Sequence, residues 1–244
     1  MNPWPYSRWV AHRGAGKLAP ENTLAALRLG AHYGYRMFEC DVKLSSDGVP
    51  FLLHDATLQR TTNGHGTAGD KDWSELSRLD AGSWHSRTFA GEPLPAFEQV
   101  ARFCTGNGFL LNVEIKPTPG HEAETGSLVA QHAARLWHGQ AVAPLLSSFR
   151  PESLQAAMAA EPQLPRALLL DTLWDGWFGV ARALGCVGIV CNHALWSEET
   201  VATVKGAGMR CLSYTVNDEW AASRLIALGT DGIITDRVDL FSPA

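Results

Sequence analysis

Eight short apolar runs with strand character recur along the chain, each separated from the next by a stretch of helical periodicity, and this alternation leaves few folds open. The runs are Arg8–Ala11, Met37–Val42, Leu110–Ile115, Leu145–Ser148, Ala167–Leu170, Gly188–Cys191, Cys211–Val216 and Gly232–Thr235. Strands that alternate with helices build a parallel sheet, because a parallel neighbour is reached only by a crossover of roughly a dozen residues or more. With each strand read as followed by a helix, the units close into an α/β fold of the (β/α)8 TIM-barrel class. A length of 244 residues suits one such catalytic domain over 1–244. The first helix is expected over Thr23–Tyr33, with Asn22 as N-cap and Gly34 as the stop; later helices begin at Ser197 and Asp218 and end at Gly206 or Gly208 and at Gly229.

One further strand-like run, Val49–His54, follows Met37–Val42 across Asp47-Gly48. Asp-Gly between apolar runs signals a tight hairpin, so this run is a return arm of the second strand and does not raise the barrel count. With Asp47 and Gly48 as a two-residue loop, Ser46 faces Val49 and Asp41 faces His54, with Glu39 diagonally beside it. Side chains repeat every second residue along a strand, so Glu39, Asp41 and His54 are expected on one face; a loop one residue longer would send His54 to the other. After the arm, about 56–95 carries no barrel strand and reads as a small insertion over one end of the barrel. Within it, a short helix starts at Asp72, with Glu75 placed for a capping box.

Function in such a barrel gathers at the carboxyl ends of the strands. There the sequence places His12 and Arg13, then Glu39 and Asp41 with His54 on the arm, then Glu114 and Lys116. Crowded carboxylates repel unless a cation lies among them, and oxygen-only ligands favour a hard ion, Mg²⁺ or Ca²⁺, over zinc. Arg13 and Lys116 are then free to hold an anion, with phosphate the natural fit for a guanidinium beside a metal. His12 and His54 can move protons near neutral pH. Together these groups spell cleavage of a phosphoester.

Composition excludes other classes. A net charge of −5 with no basic tract argues against a nucleic-acid partner, and 45% apolar against 18% charged residues suits a compact enzyme. Five cysteines without a Cys-x-x-Cys pair read as buried thiols of a reducing cytoplasm. No leader-like segment and no run of membrane-spanning length is present, so stable membrane association is not expected. Whether the chain acts as a monomer or a homodimer is left open.

His12-Arg13-Gly14, Pro20-Glu21-Asn22-Thr23, Glu39-x-Asp41-Val42, Asp47-Gly48, His54-Asp55, Leu58-x-Arg60-Thr61-Thr62-x-Gly64, Glu114-Ile115-Lys116, Ser148-Phe149, Thr215-Val216-Asn217 and Gly232-Ile233-Ile234-Thr235-Asp236 occur in that order. This series resembles the glycerophosphodiester phosphodiesterase family, and most of all its cytoplasmic bacterial branch. The resemblance implies a metal-dependent hydrolase acting on deacylated phospholipids such as glycerophosphocholine and glycerophosphoethanolamine, giving sn-glycerol 3-phosphate and an alcohol. By matching positions Glu39, Asp41 and Glu114 would be metal ligands, His12 and His54 the acid/base pair, and Arg13 and Lys116 phosphate contacts. Two departures stand out: Tyr214 where the family often has Trp, and Arg237-Val238 where a proline is common nearby.

Rival readings are a lysophospholipase D or sphingomyelinase-like activity, a non-catalytic glycerophosphodiester binder, and a carboxylate-pair glycosidase. The first needs an apolar entrance, the second has no reason to keep both histidines, and the third gives Arg13 and Lys116 no role. Four residues also admit structural readings. Lys116 could pair with Glu114 or Asp41, Glu21 could brace Arg13, Asp55 could hold the second ring nitrogen of His54, and Asn217 could serve only its turn.

Overall fold

The computed structural model describes residues 4–243. In chain order the elements are β1 (Trp9–Ala11), α1 (Leu24–His32), β2 (Met37–Leu44), β3 (Pro50–Leu52), α2 (Trp73–Leu76), α3 (Phe97–Asn107), β4 (Leu110–Ile115), α4 (Glu122–Leu136), β5 (Leu145–Ser148), α5 (Pro151–Ala160), β6 (Arg166–Leu170), α6 (Trp177–Ala183), β7 (Gly188–Asn192), α7 (Glu198–Gly206), β8 (Arg210–Tyr214), α8 (Glu219–Leu228) and β9 (Gly232–Thr235). Parallel neighbours run β1-β9-β8-β7-β6-β5-β4-β2, and β1 also pairs with β2. Ala11 lies beside both Phe38 and Thr235, which closes the ring. The expected barrel is formed, with β3 hanging antiparallel from the outside of β2.

Period-two alternation sorts every strand into an axial and a helix-facing side. Val10, Met37, Leu145, Ala167, Leu169, Val190, Leu212 and Ile234 pack together along the axis. Their sequence neighbours Ala11, Phe38, Leu146, Leu168, Ile189 and Ile233 pack outward among helix residues such as Leu27, Val100, Leu154 and Leu225. Burying each such Leu, Ile or Phe contributes roughly 1.5–3 kcal/mol, so the two layers dominate the fold's stability.

The structure departs from the sequence reading at four places. First, β9 is followed by no helix among the described residues; Phe241 instead stacks on Trp9 at 4.7 Å, and the Tyr35 hydroxyl donates to the Phe241 carbonyl. Second, Thr23 and not Asn22 caps α1: its hydroxyl accepts from the Ala26 N–H, while Asn22 takes a left-handed φ of 59° and turns its amide elsewhere. Third, the hairpin loop is one residue longer than two, because Leu44 pairs with Pro50 and Ser45 reaches Val49. The Ser45 hydroxyl accepts from the Val49 N–H and donates to Asp47, and Gly48 takes φ 79°, the geometry of a turn followed by a left-handed glycine. Fourth, α2 starts at Asp72 as expected, but without the capping box: the Asp72 side chain makes no capping bond and Glu75 accepts from Lys71. The Asp72 carboxylate accepts from Ser46, and Asp47 takes the Trp73 N–H in its place.

The stretch between β3 and α3 gathers Leu53, Leu58, Ala68, Leu76, Ala81 and Leu94 into an apolar cluster with Phe51 of β3. It packs on the return arm, and bridges Thr57–Thr67 and Asp80–Pro93 tie it together. From it Arg60 reaches back toward the barrel mouth.

Candidate active site

The axial side of the barrel turns polar toward the carboxyl ends of the strands. Continuing the phase of Met37 up β2 gives Glu39, Asp41 and Lys43, and continuing that of Leu110 up β4 gives Asn112 and Glu114. Val10, Leu212 and Ile234 are followed two residues on by His12, Tyr214 and Asp236. His12, Glu39, Asn112, Glu114 and Tyr214 line one cavity of about 170 Å³ with Arg13, His54, Lys116 and Phe149.

Glu39 and Glu114 line it and Asp41 is buried beside them, the three exposed by only 3%, 8% and 1%. Asp41 and Glu114 are direct register partners on β2 and β4, and one oxygen from each of the three carboxylates lies within 4.8 Å of the others. Burial and the neighbouring charges of Asp41 and Glu114 drive the Glu39 carboxyl well above the usual carboxylate range. Burial and Asp41 push Glu114 up to about 7 against the pull of Lys116. For Asp41, burial acts upward too, but Arg13, Lys116, His54 and the Asn22 amide outweigh it and hold its carboxyl below the usual range. Without a further cation the cluster thus favours one firmly ionised carboxylate and two drawn toward protonation. The Asp41 Oδ1 is buried and has no hydrogen-bond donor. A hard divalent cation fits this donor set: oxygen ligands only, and an acceptor left unused.

Both expected imidazoles reach this cavity. His12 directs Nδ1 at Asp236 Oδ1, 2.7 Å away, and its Nε2 lies 3.7 Å from Glu39. Asp236 is held in turn by the Asn217 amide at 2.9 Å, and its own N–H donates to Asn217 Oδ1. His54 arrives by a route the alternation did not foresee. With the longer loop Leu53 takes the place opposite Asp41, donating its N–H to the Asp41 carbonyl, but β3 has already ended at Leu52 and the chain turns His54 onto the mouth. Its Nδ1 lies 2.8 Å from Asp55 Oδ1. Burial lowers the His54 pKa, and the charge of Asp41 only partly offsets this.

Arg13 and Lys116 flank the carboxylates. Arg13, at a left-handed φ of 49°, donates its backbone N–H to Glu39 and its guanidinium to Glu21, with Nε 3.2 Å from Asp41. Such a strained backbone persists only where the surroundings over-determine it. Lys116 Nζ lies 2.6 Å from Glu114 and 3.6 Å from Asp41, over the Phe149 ring at 5.4 Å. The structural readings of Glu21 and Asp55 both hold, and Asn217 does more than finish its turn, since it positions Asp236.

Five contributors were not assigned to the site from sequence. Asn22 brackets Asp41, donating to Oδ2 at 2.8 Å and accepting its N–H at 3.1 Å. Arg60 makes paired bonds to both Glu21 and Asp55, joining the Arg13 loop to the His54 arm. Asp236 and Asn112 follow the same period-two phase as the residues that were found. Lys43 is buried beside the site, its pKa lowered to about 8 by burial, and donates to the Lys116 carbonyl.

A barrel mouth with two imidazoles and two cations gathered at a buried acidic pocket is the setting of a hydrolase of the TIM-barrel class working on an anionic ester. The chain belongs to the glycerophosphoryl diester phosphodiesterase family, whose sequence profile matches residues 12–240. It is 32% identical over 232 residues to a glycerophosphodiester phosphodiesterase of Caldanaerobacter subterraneus, an alignment covering 93% of each chain. Among solved structures, an Oleispira antarctica phosphodiesterase in complex with the product sn-glycerol-3-phosphate superposes with a TM-score of 0.87 at 34% identity, covering 94% of this chain and 92% of that one. A glycerophosphodiester phosphodiesterase from Agrobacterium tumefaciens superposes with a TM-score of 0.79 at 30% identity, over 98% and 100% of the two chains.

Proposed function

We propose that this chain hydrolyses glycerophosphodiesters, releasing sn-glycerol 3-phosphate and the alcohol, on a single barrel domain that includes the insertion at about 56–95. In this reading Glu39, Asp41 and Glu114 hold one divalent cation, Mg²⁺ or Ca²⁺. A cation held by these three carboxylates would supply positive charge against that of the phosphodiester. The remaining steps belong to the side chains. Arg13 and Lys116 grip the phosphate from two sides, Arg13 stiffened by Glu21 and Lys116 by Glu114. A carboxylate at Nδ1 of each histidine keeps a proton on that nitrogen, leaving Nε2 to face the substrate. One imidazole then accepts a proton at Nε2 from the attacking oxygen, and the other delivers one from Nε2 to the departing alkoxide.

The observation that carries this reading is the pairing of each imidazole with its own carboxylate, both lining the cavity that Glu39 and Glu114 share. A binder has no need of that arrangement. The five buried free thiols support a reducing, cytoplasmic setting, and no described helix is long and apolar enough to cross a membrane. The test is release of glycerol 3-phosphate from glycerophosphocholine by the wild type, His12→Ala and His54→Ala. The reading expects losses of about 100-fold or more in each variant; turnover undiminished in either removes that histidine from the chemistry.

A further inference from the structure

The inner cavity opens, between the return arm and the ends of β4, β5 and β6, into a groove of about 630 Å³. The two share His54, Glu114, Lys116, Phe149 and Leu169, so a group esterified to a phosphate at Lys116 extends along this groove. Asp171 and Trp174, from the segment joining β6 to α6, form part of its outer wall. Asp171 comes directly after the end of β6 at Leu170 and lines the groove together with Leu169. The one hydrogen bond to its carboxylate among the described residues comes from the adjacent Thr172 hydroxyl, at 3.4 Å, and no cation pairs with it. Its charge nevertheless reaches inward, helping to raise the pKa of the Tyr214 hydroxyl on the inner cavity's wall. Trp174 is 38% exposed, and its ring has no aromatic or cationic partner among the described residues.

Two cations of the groove are engaged elsewhere: Lys116 is bound to Glu114 and lies over Phe149, and Lys43 donates to the Lys116 carbonyl. Arg150 also lines the groove and forms no ion pair with Asp171 among the described residues. An unpaired carboxylate beside an exposed indole is a pair that draws a cation, the carboxylate by charge and the indole by its electron-rich face. Building on the phosphodiesterase reading above, we propose that Asp171 and Trp174 form a subsite for alcohols bearing a cationic nitrogen, such as choline and ethanolamine, and bias the enzyme toward them over neutral polyols.

The test compares kcat/KM for glycerophosphocholine with that for glycerophosphoglycerol in the wild type, Asp171→Asn and Trp174→Ala. Exposed ion pairs and cation–π contacts are worth about two- to five-fold each, so each substitution should lower the choline-to-glycerol ratio by that factor, chiefly through KM. An unchanged ratio, with both substrates falling together or neither falling, overturns the proposal. Saturation-transfer NMR of choline alone gives a readout independent of hydrolysis. A signal in the wild type that disappears in the Asp171→Asn, Trp174→Ala double variant supports the subsite even if neither ester is cleaved, a result that would contradict only the catalytic reading. No choline signal in the wild type overturns the subsite itself.

Discussion

His12 Nδ1 and Asp236 Oδ1 lie 2.7 Å apart although they are 224 residues apart in sequence, at the ends of the two strands that close the barrel. Register puts Ala11 beside Thr235, so the residue after each meets at the seam. Asp236→Asn keeps the shape but replaces the acceptor with a group that can turn a donor toward Nδ1. Loss of such a carboxylate partner typically costs 10–100-fold, and kcat should fall by about that factor with little change in melting temperature. Steady-state kinetics beside a thermal melt decide it; an Asn variant with wild-type kcat would leave Asp236 as packing only.

Gly16 offers an indirect test of the same contact. It takes φ 58°, and a Cβ there would come within 2.2 Å of the Asp236 backbone. Gly16→Ala should therefore shift Asp236 and lower both activity and stability, whereas Gly66→Ala, where a Cβ meets nothing within 4 Å, should strain the backbone without touching activity.

Arg60 bridges two loops through two carboxylates, Glu21 and Asp55, that themselves hold Arg13 and His54. Residues of one network couple non-additively. Arg60→Met is expected to lower kcat/KM about ten-fold, and Arg60→Met combined with Asp55→Asn should cost clearly less than the product of the two single losses. Strict multiplication of the two effects would show that Arg60 does not act through Asp55.

Proton linkage at the acidic cluster fixes the direction of a pH effect. Glu114 is raised to about 7 and Glu39 also lies above its ordinary value, so in the metal-free fold both hold protons more tightly than an unfolded chain does. Their contribution to stability is present below the ordinary carboxylate range and is lost as pH rises through about 7. A cation needs the ionised forms, so its stabilising effect runs the opposite way. The rise in melting temperature on adding Mg²⁺ should therefore be larger at about pH 8 than at about pH 6. An equal rise at both values would mean that these carboxylates do not take up the ion.

Much of this was legible in the chain because strand periodicity is strict. The eight barrel strands, the shared face of Glu39 and Asp41, and the convergence of His12, Glu114 and Lys116 all follow from counting by two. Asp236 and Asn112 obey the same count and could have been reached by extending the axial phase of Ile234 and Leu110. The hairpin misled because side-chain bonds from Ser45 to Val49 and Asp47 stabilise a loop one residue longer than the Asp-Gly pair suggests. His54 is reached nonetheless, because the arm stops pairing at Leu52 and the chain turns. Asn22 looked like a helix cap since it precedes a helix, but Thr23 satisfies that end and frees the Asn22 amide for Asp41. Arg60 could not be placed from pattern at all, as it sits in a stretch without regular structure and one of its partners, Glu21, lies 39 residues away.

The central claim is that the buried trio of Glu39, Asp41 and Glu114 works by holding a divalent cation. The most direct measurement is glycerol 3-phosphate release by chelator-stripped protein, titrated in turn with Mg²⁺ and Ca²⁺. The account predicts no turnover from the stripped protein, saturable recovery with one of these ions, and no recovery in Asp41→Asn. Full turnover by the stripped protein would contradict it.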